Sequence, residues 1–190
     1  KDGQIVLGPG MRADIILDMQ GRPGERFEVV DRFYRQMHYR FVDLAYSDEA
    51  PLRDSPLAAS IRLPANSVPA PNLADAVTHR VHFGGGMMSQ TVSGHMHDPL
   101  FRLTRGQSCR MVLENDTAWF HPIHLHGHAF RVIARNGQKV ADDAFLDTVL
   151  LAPRETAEIA FLADNPGMWM LHCHVLEHQE AGMMGLIEVA

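Results

Sequence analysis

Two stretches concentrate the residues that can bind a soft metal ion. The first is His172-Cys173-His174, followed in the same run by His178 and Met183. The second is His121-Pro122-Ile123-His124-Leu125-His126-Gly127-His128. Together they hold seven of the twelve histidines and one of the two cysteines, which chance scatter does not produce. A Cys thiolate, two imidazoles and a weak Met thioether form the ligand set of a blue-copper electron-transfer site. Cys173, His178 and Met183 supply three of these from one loop, and His121 is the natural fourth. Met184 is the neighbouring candidate thioether, and register favours Met183.

Alternate side chains of an extended strand point to opposite faces. Cys173 therefore faces one way, and His172 and His174 face the other. His124 and His126 repeat the two-residue spacing. These four histidines suit a second metal centre, joined to the first through a few covalent bonds. Zinc is the chemical rival, since Cys and His also bind it; the Met ligand and the paired His-x-His spacing argue for copper.

His121-Pro-Ile-His124-Leu-His126-Gly and His172-Cys-His174, with His178 and Met183 at their spacing and Pro166-Gly167-Met168-Trp169 ahead of them, resemble the two C-terminal copper motifs of multicopper oxidases, the laccase-like family. The resemblance covers about residues 75–190 and, more weakly, residues 1–47. It implies a blue copper at His121, Cys173, His178 and Met183. It also implies a trinuclear copper cluster that uses His124, His126, His172 and His174, with Cys173, His172 and His174 passing electrons between the two. The cofactor expected is copper, and the partners expected are dioxygen and a small reductant or metal-ion substrate. The family completes its cluster with two further His-x-His motifs near the N-terminus. His95-Met96-His97 has that spacing, but it sits in a turn-like Ser-Gly-His-Met-His-Asp-Pro context and is read as outside the cluster. The cluster is thus half built. The chain, which has no initiator Met and no signal peptide, reads as the C-terminal portion of a longer enzyme whose other domains supply the rest. The resemblance implies a periplasmic or secreted location.

Two other readings remain. A blue-copper electron carrier would leave His172, His124 and His126 without a use. A copper nitrite reductase-like protein normally lacks a His on both sides of the Cys. Nothing in the chain selects among phenols, aromatic amines, bilirubin, cuprous or ferrous ions as reductant.

The chain has 190 residues, 46% of them hydrophobic, enough for one large domain or one domain and part of another. A net charge of −6 with no basic block argues against nucleic-acid binding. No run approaches the roughly 20 apolar residues of a membrane helix. Cys109 lies in an alternating run and reads as a buried free thiol.

The pattern of short apolar runs predicts an all-β chain, a β-sandwich or barrel. With the resemblance, the expectation is a Greek-key, cupredoxin-like β-sandwich preceded by a partial second β unit. Residues 1–47 are expected to be terminal strands of a preceding domain, 48–73 a Pro-rich linker, and 74–190 the copper-binding domain. Residues 4–17 read as two short strands around Gly8-Pro9-Gly10, and Phe27 to Tyr46 as two more, with a helix over 31–40 as the alternative. Later strands are expected at 78–83, 101–104, 108–115, 124–135, 144–151, 156–162, 169–172 and 186–189. Leu7-Gly-Pro9-Gly-Met-Arg-Ala13-Asp-Ile15 faintly repeats Leu151-Ala-Pro153-Arg-Glu-Thr-Ala157-Glu-Ile159. His79 and His82 read as ordinary polar positions, and Met87, Met88, Met96, Met168 and Met170 are too scattered for a transport patch. His128 reads as support or packing, Trp169 and Phe130 as core or site walls, and Asp147 as structural. Gln179 occupies a place where some bacterial relatives carry a proton-delivering acid. It cannot donate a proton at neutral pH, and strand alternation would aim the adjacent Glu180 elsewhere.

Overall fold

The structure is a computed structural model describing residues 3–59, 61–85, 91–92, 98–142 and 144–190. His95 and His97, with Met87, Met88 and Met96, lie outside the described residues. The chain forms two compact units, residues 3–6 with 13–65 and residues 7–12 with 66–190.

In the first unit, β1 (Arg26–Tyr34) and β2 (Met37–Ala45) form an antiparallel hairpin with register shifts after Val29 and Asp31. Its β-branched and aromatic residues favour the pleated state over the helix alternative. Phe27, Val29, Phe33, Tyr39 and Phe41 stay exposed, Phe41 at 80%. Residues 48–59 and 61–73 contain no helix or strand.

The second unit contains two sheets. Its strands are β3 (Val77–Gly84), β4 (Thr91–Val92), β5 (Phe101–Leu103), β6 (Ser108–Asn115), β7 (His121–Leu125), β8 (Arg131–Arg135), β9 (Gln138–Lys139), β10 (Thr148–Leu151), β11 (Thr156–Leu162), β12 (Gly167–Cys173) and β13 (Met184–Val189). One sheet runs β10-β7-β12-β13-β5 and the other β4-β3-β6-β11-β8-β9. Among the described residues, only β13–β5 and β3–β6 pair in parallel. The inward residues of both sheets fill one core, including Phe83, Leu113, Ile159 and Phe161 from the second and Ile123, Leu125, Leu171 and Ile187 from the first. This is the expected Greek-key β-sandwich.

Three local expectations change. Residues 4–17 contain no strand. The Met11 N–H bonds the Gly8 carbonyl at 3.0 Å, making a turn whose flanks find no sheet neighbour among the described residues. The equivalent turn of the faint repeat, Ala152 to Glu155, has the same hydrogen bond, but there Thr156 onward pairs as β11. The repeat is therefore real at the turn and ends with it. Residues 124–135 do not form one strand. They break between β7 and β8 at Gly127, which adopts φ +71°. The third change is a short helix, α1 (Leu176–Glu180), inside the His178 loop, so strand alternation does not govern Gln179 and Glu180.

Ile159 is fully buried on β11, between β6 and β8. Ile159→Ala should cost about 2–5 kcal/mol, measured as a lower denaturant midpoint at unchanged slope. The half-exposed Leu57→Ala should cost less than about 0.5 kcal/mol.

Candidate metal centre

The site is built on the antiparallel pairing of β12 with β7. Register sets Cys173 opposite Ile123 and His172 opposite His124. Cys173, Ile123 and His121 point into the core and are fully buried. His124 and His172 occupy the other face of the same two strands.

On the core face, three donor atoms converge. His121 Nδ1 and His178 Nδ1 lie 3.1 Å apart, and Cys173 Sγ is 3.7 Å from each. Backbone bonds close the loop that brings His178 there. The Met183 N–H reaches the His178 carbonyl at 3.0 Å, and the Cys173 N–H reaches the Met183 carbonyl at 3.1 Å. Met183 is fully buried, whereas Met184 belongs to β13, opposite His172. The Val175 N–H points at Cys173 Sγ from 3.4 Å, a donor suited to a thiolate.

A polar bracket that sequence reasoning missed orients His121. Its Nε2 lies 2.7 Å from the Thr117 hydroxyl. That hydroxyl donates to Asn115 Oδ1 at 2.8 Å, so it accepts from His121 Nε2–H. Asn115 Nδ2 in turn donates to the carbonyls of Trp119 and Ala152. His121 thus carries its proton on Nε2 and directs the Nδ1 lone pair at Cys173 and His178. The usable sequence signal was Asn115-x-Thr117, a pair prone to local side-chain turns, four residues ahead of the histidine.

On the opposite face, His124, His126, His172 and His174 gather with ring centroids 4.6–5.6 Å apart. His126 Nε2 faces His172 Nε2 at 3.1 Å. His124 Nδ1 donates to the Asp147 carbonyl at 2.8 Å, and His172 Nδ1 donates to the Cys173 carbonyl at 2.9 Å. Both thus carry the proton on Nδ1 and present an unprotonated Nε2, that of His172 toward His126 Nε2, the usual supporting arrangement for a ligating histidine. Burial, then neighbouring imidazoles, pulls His126 and His174 below the usual range. His124 is lowered chiefly by burial. All three are neutral at pH 7, the form that binds metal. Although burial alone would raise the Asp147 carboxyl, the Arg12 guanidinium and the Thr148 hydroxyl hold it low.

His128 leaves this face. After Gly127 it turns inward against Phe161 and Trp169, so packing is its role. Trp169 braces the same turn: its ring occupies the space a Gly127 side chain would need, and its indole N–H holds the Asn165 carbonyl. Phe130 is core. His79 stacks on Phe101 at 4.0 Å.

A buried thiol with two imidazole nitrogens, backed across one strand by four further imidazoles, is the donor chemistry of a copper protein. The sequence profile described as multicopper oxidase matches residues 64–190. The chain is 39% identical over 105 residues to multicopper oxidase MmcO of Mycobacterium tuberculosis, spanning 52% of this chain and 20% of that protein. It is 28% identical over 195 residues to multicopper oxidase mco of Staphylococcus epidermidis, spanning 98% of this chain and 39% of that one. The structure resembles that of a multicopper oxidase from Pseudomonas thermotolerans, with TM-score 0.71 and 33% identity over 89% of this chain and 41% of the other. The chain belongs to the multicopper oxidase family, whose cofactor is copper. It spans well under half the length of these relatives.

The metal-free site titrates at both ends of the pH scale. Burial, with the His178 imidazole beside it, pulls His121 from 6.5 down to about 4. Burial pushes the Cys173 thiol from 9.0 up to about 11, and Cys109 up to about 12. Between about pH 6.5 and 4 the unfolded chain binds the His121 proton more readily, so stability falls as pH drops through that window. Above about 9 the unfolded chain loses thiol protons that the folded chain keeps, so stability falls again toward about 11. The thermal midpoint of the metal-free chain should therefore form a plateau between about pH 6.5 and 9. A flat profile down to about pH 4 would contradict the burial of His121.

A second expectation concerns the bracket. Imidazole nitrogen NMR of the metal-free chain at neutral pH should show His121 as the Nε2–H tautomer. Thr117→Val, which removes the acceptor, should give a mixture of tautomers.

Proposed function

We propose that the chain is the copper-binding C-terminal part of a multicopper oxidase, and that it alone does not complete the oxygen-reducing centre. One observation carries this reading: a Cys–His–His donor triangle and a four-histidine face lie on opposite sides of the β7–β12 pair and the residues that directly follow its strands. In this reading His121, Cys173, His178 and Met183 hold a blue copper. His124, His126, His172 and His174 hold part of a trinuclear cluster. Residues 1–47 end a preceding domain, 48–73 link, and 74–190 bind copper. The exposed apolar residues of the β1–β2 hairpin fit a sheet that further domains complete, since an isolated two-stranded hairpin is marginal in water.

Copper at these sites supplies one-electron redox chemistry: four electrons taken singly from a reductant, with four protons, convert dioxygen to two waters. The chain's own residues arrange this. Thr117 and Asn115 aim His121. Full burial of Cys173, His121 and Met183 keeps water from the thiolate. The backbone of Cys173 is the covalent bridge between the faces, since its side chain lies on one and its flanking imidazoles on the other. Neither Gln179 nor the low-lying Asp147 carboxyl carries a proton to give at neutral pH, so an acid elsewhere in the protein is assigned that task. The reductant is a small organic molecule or a metal ion, and we place the protein in the periplasm or outside the cell on family resemblance.

Copper titration of the chain tests this. The wild type should turn blue through thiolate-to-copper charge transfer. Cys173→Ser should abolish the colour, while His124→Ala should leave it largely intact. The loaded chain should accept electrons yet show no sustained four-electron oxygen consumption. A colourless wild type, or a His124→Ala variant that loses its colour, would sink the assignment of the two faces.

A further inference from the structure

The turn at residues 7–12 packs as part of the copper-binding unit and lies on its histidine face. A Cβ at Gly8 would sit 2.9 Å from Leu150 Cδ1 and 3.3 Å from Pro122 Cβ. Pro122 and Leu150 are paired on β7 and β10, on the same face as His124, and Pro122 is buried although it points away from the core. Gly10, at φ +78°, comes closer still. A Cβ there would lie 2.5–2.8 Å from three atoms of the His174 ring. Arg12 then donates to the Gly10 carbonyl at 3.0 Å and to the Asp147 carboxylate at 2.5 Å. Asp147 offers its carbonyl to His124 Nδ1, and its carboxylate accepts from the Thr148 hydroxyl, which also touches His124 Nδ1. One glycine and one arginine thus bear on two cluster-face histidines from outside, without being ligands, while Gly8 seats the turn on Pro122 and Leu150.

We propose that residues 7–12 are a positioning strap: Gly10 fixes the His174 ring, and Arg12, through Asp147, fixes His124. This rests on the reading of the four-histidine face given above. Gly10 carries the larger effect, because any side chain there would overlap the His174 ring directly. The Arg12–Asp147 pair is largely exposed on the arginine side and contributes less.

Imidazole NMR of the metal-free chain tests the strap directly, and copper(II) titration tests its consequence. Gly10→Ala should shift the His174 ring signals. It should weaken copper uptake at the histidine face by about ten- to a hundredfold, the scale for losing an outer supporting contact. The blue band should stay intact, because Cys173, His121 and His178 lie on the other face. Gly106→Ala is the control: it also sits at positive φ, +85°, but a Cβ there meets nothing within 4 Å. It should lower thermal stability without moving His174. Arg12→Gln, which leaves the turn's backbone intact, should shift the His124 Nδ1–H signal. His174 signals and copper uptake in Gly10→Ala that match Gly106→Ala would overturn the proposal. So would an unmoved His124 in Arg12→Gln, including where Gly10→Ala fails to fold. A wild type that takes up no copper at the histidine face, while Gly10→Ala still displaces His174, would support the strap and sink the functional reading.

Discussion

The antiparallel register of β7 and β12 is the constraint on which the site depends. It puts Cys173 opposite Ile123 and His172 opposite His124. Strand alternation then sends thiol and imidazoles to opposite faces without any further device. The core face is dry because the second sheet covers it with Phe83, Leu113 and Phe161. On the other face, partial burial and crowding hold His124, His126 and His174 neutral. One pairing therefore creates two environments a few bonds apart.

What the register cannot supply is the direction of each ring. Hydrogen bonds do that. Thr117 and Asn115 turn the His121 lone pair inward, and backbone carbonyls of Asp147 and Cys173 hold His124 and His172. On the loop side, α1 and the bond from Met183 to the His178 carbonyl shape the return path that brings His178 back to Cys173. Supports of this kind cost little individually, but each removes a rotamer or tautomer that could not bind metal.

The residues that the structure gathers on the two faces were legible in the sequence because their chemistry is rare and their spacing matches strand geometry. The two-face argument for Cys173, His172 and His174 needed only the period of a strand. The strands 108–115 and 156–162 were equally plain, since apolar alternation runs their full length and turns bound them. Legibility failed where local pattern and tertiary pairing part company. Residues 4–17 read as strands but find no partner in the described chain. His128 kept the spacing of His124 and His126, yet the reversal at Gly127 sent it into the core. Arg12, Gly10 and Thr117 act across distances or through backbone contacts that no local window contains.

The alternation at β12 also sets which kinds of genetic change the chain can survive. A substitution alters one side chain and leaves the others on their faces. A single-residue insertion or deletion between the start of β12 and Cys173 would instead invert the strand's parity. It would turn the thiol outward and drive two imidazoles into the apolar interior. The turn at Asn136–Gly137 between β8 and β9, which is remote from the donors in the sheet order, imposes no such parity. The molecule should thus drift in length at that rim while the strand carrying its cysteine stays fixed in length.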